Sequence, residues 1–156
     1  MIKRFFPIPL LLILLLGCKK DRRDCCVLFD TNMRIAVQSS SKLDLLDPQS
    51  SKFNDVNIEI FDRMESGYVR VNNGNMDRPK RFAIFQNSAI GKYELNLGLN
   101  TNMIGGFSET LIKFGDNVPD TIRAVIVKKG SNTTVSQVTV KSATFHPTEL
   151  YTFIKD

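Results

Sequence analysis

Beyond residue 24 no ten-residue stretch carries a 3.6-residue apolar period; apolar side chains recur at every second position instead. Such alternation marks half-buried β-strands. Residues 31–38 place Met33, Ile35 and Val37 on one face, and residues 56–61 do the same with Val56, Ile58 and Ile60. Further short strands are expected at 68–71, 81–86, 93–99, 108–114, 121–128, 133–144 and 151–154. Turn-forming clusters separate them, among them Asp47-Pro48, Asn72-Asn73-Gly74-Asn75, Gly105-Gly106 and Lys129-Gly130-Ser131-Asn132. Eight or nine short strands at this spacing predict an all-β fold. An antiparallel β-sandwich of immunoglobulin- or transthyretin-like architecture is expected, with a closed barrel as the competitor. The chain has no tryptophan, so membership of the immunoglobulin family proper is not implied.

Residues 1–17 follow a different rule. Lys3 and Arg4 precede an apolar stretch over 8–16, interrupted only by Pro9. A membrane span needs about 20 apolar residues. This stretch is about half that, the size of a signal-peptide apolar region. A cleaved, helical signal peptide at 1–17, a charged tether at 18–24 and one sandwich domain at 25–156 are therefore expected. The formal charge of +5 divides accordingly: +2 in residues 1–17, +2 in 18–24 and +1 in the remainder. A pI near 9.2 invites a nucleic-acid reading, but the body is nearly neutral, and no nucleic-acid partner is expected.

Leu15-Leu16-Gly17-Cys18 resembles a bacterial lipoprotein box. The resemblance implies a diacylglyceryl thioether on Cys18, cleavage between Gly17 and Cys18, and acylation of the new amino group by a chain such as palmitate. One acyl chain holds a protein only marginally, and several on one residue make a stable anchor. The membrane partner is thus the lipid anchor at Cys18. Lys19, rather than aspartate, follows the cysteine, which implies the outer membrane and leaves the face open. Residues 44–48 (DLLDP), 56–61, 111–116 and 120–122 are in turn similar to segments of small Bacteroidota envelope lipoproteins. That similarity implies an envelope β-sandwich and carries no catalytic residues. Asp120-Thr121-Ile122 also resembles a Bacteroidota O-glycosylation site, which makes Thr121 a candidate for modification.

Motifs that carry chemistry are few. There is no phosphate-cradling glycine loop, no H-E-x-x-H, no C-x-x-C and no G-x-S-x-G. Cys25 and Cys26 are adjacent, and neighbouring Cα atoms lie 3.8 Å apart, closer than a relaxed disulfide prefers. They are packed, bridged to another chain or free. His146, the lone histidine, precedes Pro147 and is expected at a strand end. The oxygen-rich residues 72–77 lack the spacing of an EF-hand and are expected to form a turn. Asp44/Asp47 and Asp62/Glu65 are carboxylate pairs of the kind a glycosidase uses, and equally ordinary turn residues. The basic cluster over 77–81 is expected as a solvated loop, and Phe82 and Phe85 as packed side chains. Asn132-Thr133-Thr134 is a glycosylation sequon with little meaning in a bacterial lipoprotein. No catalytic residue, cofactor or metal is assigned. The expected function is a lipid-anchored envelope module, non-enzymatic, that binds an envelope protein or glycan. The alternative is an envelope hydrolase using clustered carboxylates.

Overall fold

The structure, a computed structural model, describes residues 27–50 and 52–156. All regular structure in them is strand: twelve strands in two facing sheets, with no closed barrel. The first sheet contains β1 (Phe29–Asp30), β3 (Ile58–Met64), β4 (Gly67–Arg70), β7 (Met103–Ile104), β8 (Phe107–Phe114), β9 (Asp120–Lys129), β10 (Asn132–Val140) and β11 (Ala143–Phe145). Its main path runs β1-β10-β9-β8-β3-β4. The second sheet contains β2 (Asn32–Gln38), β5 (Phe82–Asn87), β6 (Lys92–Gly98) and β12 (Leu150–Ile154), in the order β12-β2-β6-β5.

The alternation decides which faces meet. Met33, Ile35, Val37, Leu95, Leu97 and Phe153 of the second sheet are buried. They belong to one core with Ile58, Ile60, Ile112, Phe114, Ile122 and Val138 of the first sheet. Phe114 sits where the layers join, its ring centroid 5.5 Å from Phe153 across the sandwich and 5.4 Å from Phe53 in the 52–57 loop. Such tilted aromatic contacts add to the stabilisation from area alone.

Four details depart from the sequence expectation. The sandwich is not wholly antiparallel: β1 runs parallel to β10, and β12 parallel to β2. Both terminal strands add to an edge, where no hairpin constrains their direction. The chain therefore enters on the first sheet and turns at buried Thr31, whose carbonyl accepts from Leu99 N–H at 2.9 Å, before joining the second. The expected strand over 133–144 is two strands, because Lys141 adopts φ 54° and folds β11 back onto β10. A bulge between Val135 and Gln137 keeps both Val135 and Val138 inward although they are three residues apart. The strand expected to begin at Val56 begins at Ile58, and Val56 lies exposed in the preceding turn. β1 and β7, two residues each, were too short to carry a period.

Phe114→Ala is expected to lower unfolding stability by about 3–5 kcal/mol, the cost of a large core cavity. Phe85→Ala, on an exposed ring, is expected to cost under about 1 kcal/mol in the same urea titration. Equal midpoint shifts would contradict the layer described.

Candidate functional site

Inner-face residues are spent on the core, so any site lies on an outer face or at the strand ends. On the outer face of the first sheet a row of polar residues crosses six strands. Tyr68 on β4 stands opposite Arg63 on β3. Asp62 and Thr110 are paired, which sets Arg63 beside Glu109 on β8. Glu109 stands opposite Arg123 on β9, Arg123 opposite Thr139 on β10, and Thr139 opposite Thr144 on β11. The centre of the row is Glu109, 3% exposed.

Glu109 is held from three directions. The Tyr68 hydroxyl donates to Oε1, Arg123 Nε donates to Oε2 at 2.9 Å, and Arg63 Nη1 lies 3.7 Å from Oε1. Burial alone would push this carboxyl up. The Tyr68 and Arg123 hydrogen bonds, with the charges of Arg123 and Arg63, outweigh it and hold the group below the usual carboxylate range. The same contact raises the Tyr68 hydroxyl. Arg123 also lies over the Phe107 ring, 4.9 Å from its centroid. A cleft of about 470 Å³ opens over this group, walled by Met64, Gly67 and Ile104 and rimmed by Glu65. Glu65 and Glu109 thus share a cleft, but Glu109 is a fixed anion. A general acid needs a raised pKa. The arrangement suits recognition: rigid charged groups at known positions, with apolar walls beside them.

A larger cleft of about 530 Å³ lies at the strand ends, between Phe29, Asn32, Met76, Asp77, Arg78 and Leu99. A third, about 470 Å³ and lined by Leu46, Pro48, Phe53, Phe82 and Tyr93, lies beside β5.

The basic cluster over 77–81 is not the solvated loop expected. Arg81 forms a fork with Asp62, Nη1 to Oδ2 at 2.7 Å and Nη2 to Oδ1 at 2.6 Å. Its Nε donates to Gly98 carbonyl at 2.8 Å, and a Cβ at Gly98 would lie 3.0 Å from Arg81 Cγ, so any larger residue there would have to shift the Arg81 stem. Lys80 donates to the carbonyls of Asp55, Val56 and Ile58 and closes that turn. These two cations are therefore used inside the fold. Phe82 packs as expected, while Phe85 is 40% exposed.

The carboxylate pairs are divided up as well. Asp44 accepts from the N–H groups of Leu46 and Tyr93, Asp47 accepts from Gln49 N–H, and Asp62 is taken by Arg81. Residues 72–77 form a turn in which Asn73 accepts from Met76 N–H, and no metal-holding acidic or histidine cluster occurs among the described residues. His146 follows β11 at a strand end, its Nδ1 2.7 Å from Thr148 Oγ1. Thr121 stands half-buried on β9, opposite Leu111, beside a depression it shares with Arg123, Thr139 and Lys141. Gly17, Cys18, Cys25 and Cys26 lie outside the described residues. Sequence reading missed Glu109, whose only signal is an acid alternating with Leu111 and Lys113 on a strand that should present a solvated face.

No family model, curated protein or solved structure matches this chain.

Because the Glu109 pKa is depressed in the folded chain, its stabilisation is present in full above the unfolded carboxylate value of about 4.3. It is lost as pH falls through the lower folded value. Glu109→Gln is expected to cost about 1–3 kcal/mol at pH 7, as the ion pairs vanish. The gap from wild type, read by urea titration at pH 7 and at pH 3, should narrow at the lower pH, below the unfolded carboxylate value. A gap of equal size at both pH values would contradict an ionised Glu109.

Proposed function

We propose that this chain is a lipid-anchored cell-envelope protein acting as a non-enzymatic binding or accessory module. The observation that carries the reading is Gly17-Cys18 placed directly after a short apolar stretch with a cationic start. That stretch is too short to span and the right size to be removed. The lipids then sit on Cys18, and Lys19 in the next position favours the outer membrane. The sandwich body supports the binding half of the reading. Its outer-face cleft offers the guanidinium groups of Arg63 and Arg123, the exposed ring of Tyr68 and the carboxylate of Glu65 in a fixed array. These are donors, an acceptor and an apolar surface, the set a polar envelope partner or glycan requires. Thr121, on the same outer face, remains the candidate for O-glycosylation.

A carboxylate hydrolase is the second reading, favoured by the shared cleft of Glu65 and Glu109. Turnover of chromogenic glycosides that disappears in both Glu65→Gln and Glu109→Gln would install it in place of the binding module.

The anchor has a direct test. Cells grown with an alkyne fatty acid should label the wild-type protein, while Cys18→Ala should lose the label and retain residues 1–17. Equal labelling of the two proteins would overturn the anchor. Cross-linking in intact cells with a photoreactive group at Tyr68 should capture a partner that the same group at Val56, on the opposite end, does not.

A further inference from the structure

The two ends of the sandwich differ in what they expose. One end collects residue 27 to Thr31, the β3–β4 turn, residues 75–78, residues 99–106, the β9–β10 turn and the approach to β12; the strand registers, the Leu99–Thr31 hydrogen bond and the cleft shared by Phe29, Met76 and Leu99 place these together. Chain entry is at this end. It carries Val27, Leu28, Phe29, Met64, Met76 and Met103, each between 41% and 64% exposed. Several of these side chains are brought near one another through the loop at 101–103. Phe29 and Met76 line one cleft with Thr101, and the amide of neighbouring Asn102 lies 3.7 Å from Met64 Sδ. The opposite end exposes Leu43 and Ile154 beside the end of β2, and Val56, Ile90 and Val118 each in a loop of its own. A gathering of exposed apolar side chains at one end of a small domain marks a contact surface.

Chain length says which surface. Only residues 19–26 lie between Cys18 and the start of the patch. At about 3.3–3.6 Å per residue, they hold Val27 within roughly 30 Å of the lipid attachment point. We propose that this end of the sandwich seats on the lipid surface, with Phe29, Met76 and their neighbours entering the headgroup–acyl boundary. The proposal rests on the anchor at Cys18 and adds an orientation to it. Long, unbranched methionine side chains suit an irregular, fluid boundary, and apolar faces of this kind settle about 5–10 Å into it. The Glu109 cleft then opens sideways, just above the lipid.

The chain has no tryptophan, so one introduced tryptophan reports its own depth. The full lipidated protein would be reconstituted into phosphatidylethanolamine–phosphatidylglycerol vesicles, with and without brominated acyl chains. Phe29→Trp and Met76→Trp replace exposed side chains, and Val118→Trp, at a site 84% exposed on the far end, is the control. Brominated lipid is expected to cut emission roughly twofold in the first two proteins and leave the third unchanged, as shallow burial of one end requires. Unquenched emission at all three positions in vesicle-bound protein would overturn the seat and leave the anchor standing, as would equal quenching at all three. Protein that fails to float with the vesicles would overturn the anchor, and the seat with it.

Discussion

The contact on which the remainder of this fold depends is the meeting of Phe114 from one sheet with Phe153 from the other, backed by Phe53 from a loop. Neither sheet is stable alone, because each has one apolar face that must be covered. Phe114 lies at the end of β8, a strand flanked on both sides, and Phe153 near the end of the edge strand β12. Lys155 lies 5.7 Å from the Phe114 centroid and 5.9 Å from that of Phe153, and its ammonium reaches Asp120 on β9 at 2.5 Å. At the other side of the sandwich, Arg81 before β5 and Asp62 on β3 make the corresponding link between sheets. The apolar layer supplies most of the cohesion, being non-directional and proportional to area. The two ion pairs fix how the layers lie across one another, since a fork between guanidinium and carboxylate tolerates little displacement.

The outer faces repeat one device. Glu94 on β6 is fully buried on the second sheet's outer face, where Arg34 donates to both its oxygens at 2.8 and 2.9 Å and Asn87 donates at 2.7 Å. Glu109 occupies the corresponding role on the first sheet, beneath Tyr68, Arg63 and Arg123. In each case a short acid is covered by longer cationic side chains that keep their outer parts in water. Taking a carboxylate out of water is costly unless it is paired, so each acid constrains the arginines around it. The two sites differ in what remains. The Glu94 pair is closed by Arg34 and Asn87. At Glu109 two guanidinium groups and a tyrosine ring converge, and a cleft lies over them. A fixed array of this kind loses less entropy on binding than mobile side chains would.

Much of this was legible in the sequence, for a physical reason. A side-chain period of two reports one buried face, and it located nine of the twelve strands, including all of the long ones, because burial is strongest there. The two-residue strands carry no period, and the split at Lys141 depends on a positive φ at a lysine, which nothing in its neighbours announces. Strand direction at the edges was also out of reach, since β1 and β12 join by adding to existing strands rather than by hairpins. The Glu109 row was hidden for another reason: Tyr68 and Arg123 lie 41 and 14 residues from the acid, and only register brings them together. Lys80 and Arg81 read as a surface cluster because composition cannot distinguish a solvated cation from one that caps carbonyls.

The direction in which the chain enters gives the molecule a polarity that a symmetric sandwich would not have. β1 is only two residues long, and its parallel addition to β10 brings residue 27 in at the same end as Met64, Met76 and Met103. Those methionines are the only ones beyond the first residue that stay out of the core, where Met33 packs fully. An apolar side chain left in water costs about 0.8 kcal/mol per CH₂ relative to burial. Three of them stand at the entry end, in loops from different parts of the chain. The opposite end carries exposed Leu43 and Ile154 beside β2, with Val56 and Val118 on separate loops, and no methionine among the described residues. The Glu109 cleft opens beside this end and shares Met64 and the β3–β4 turn with it, so the two surfaces adjoin on one rigid body.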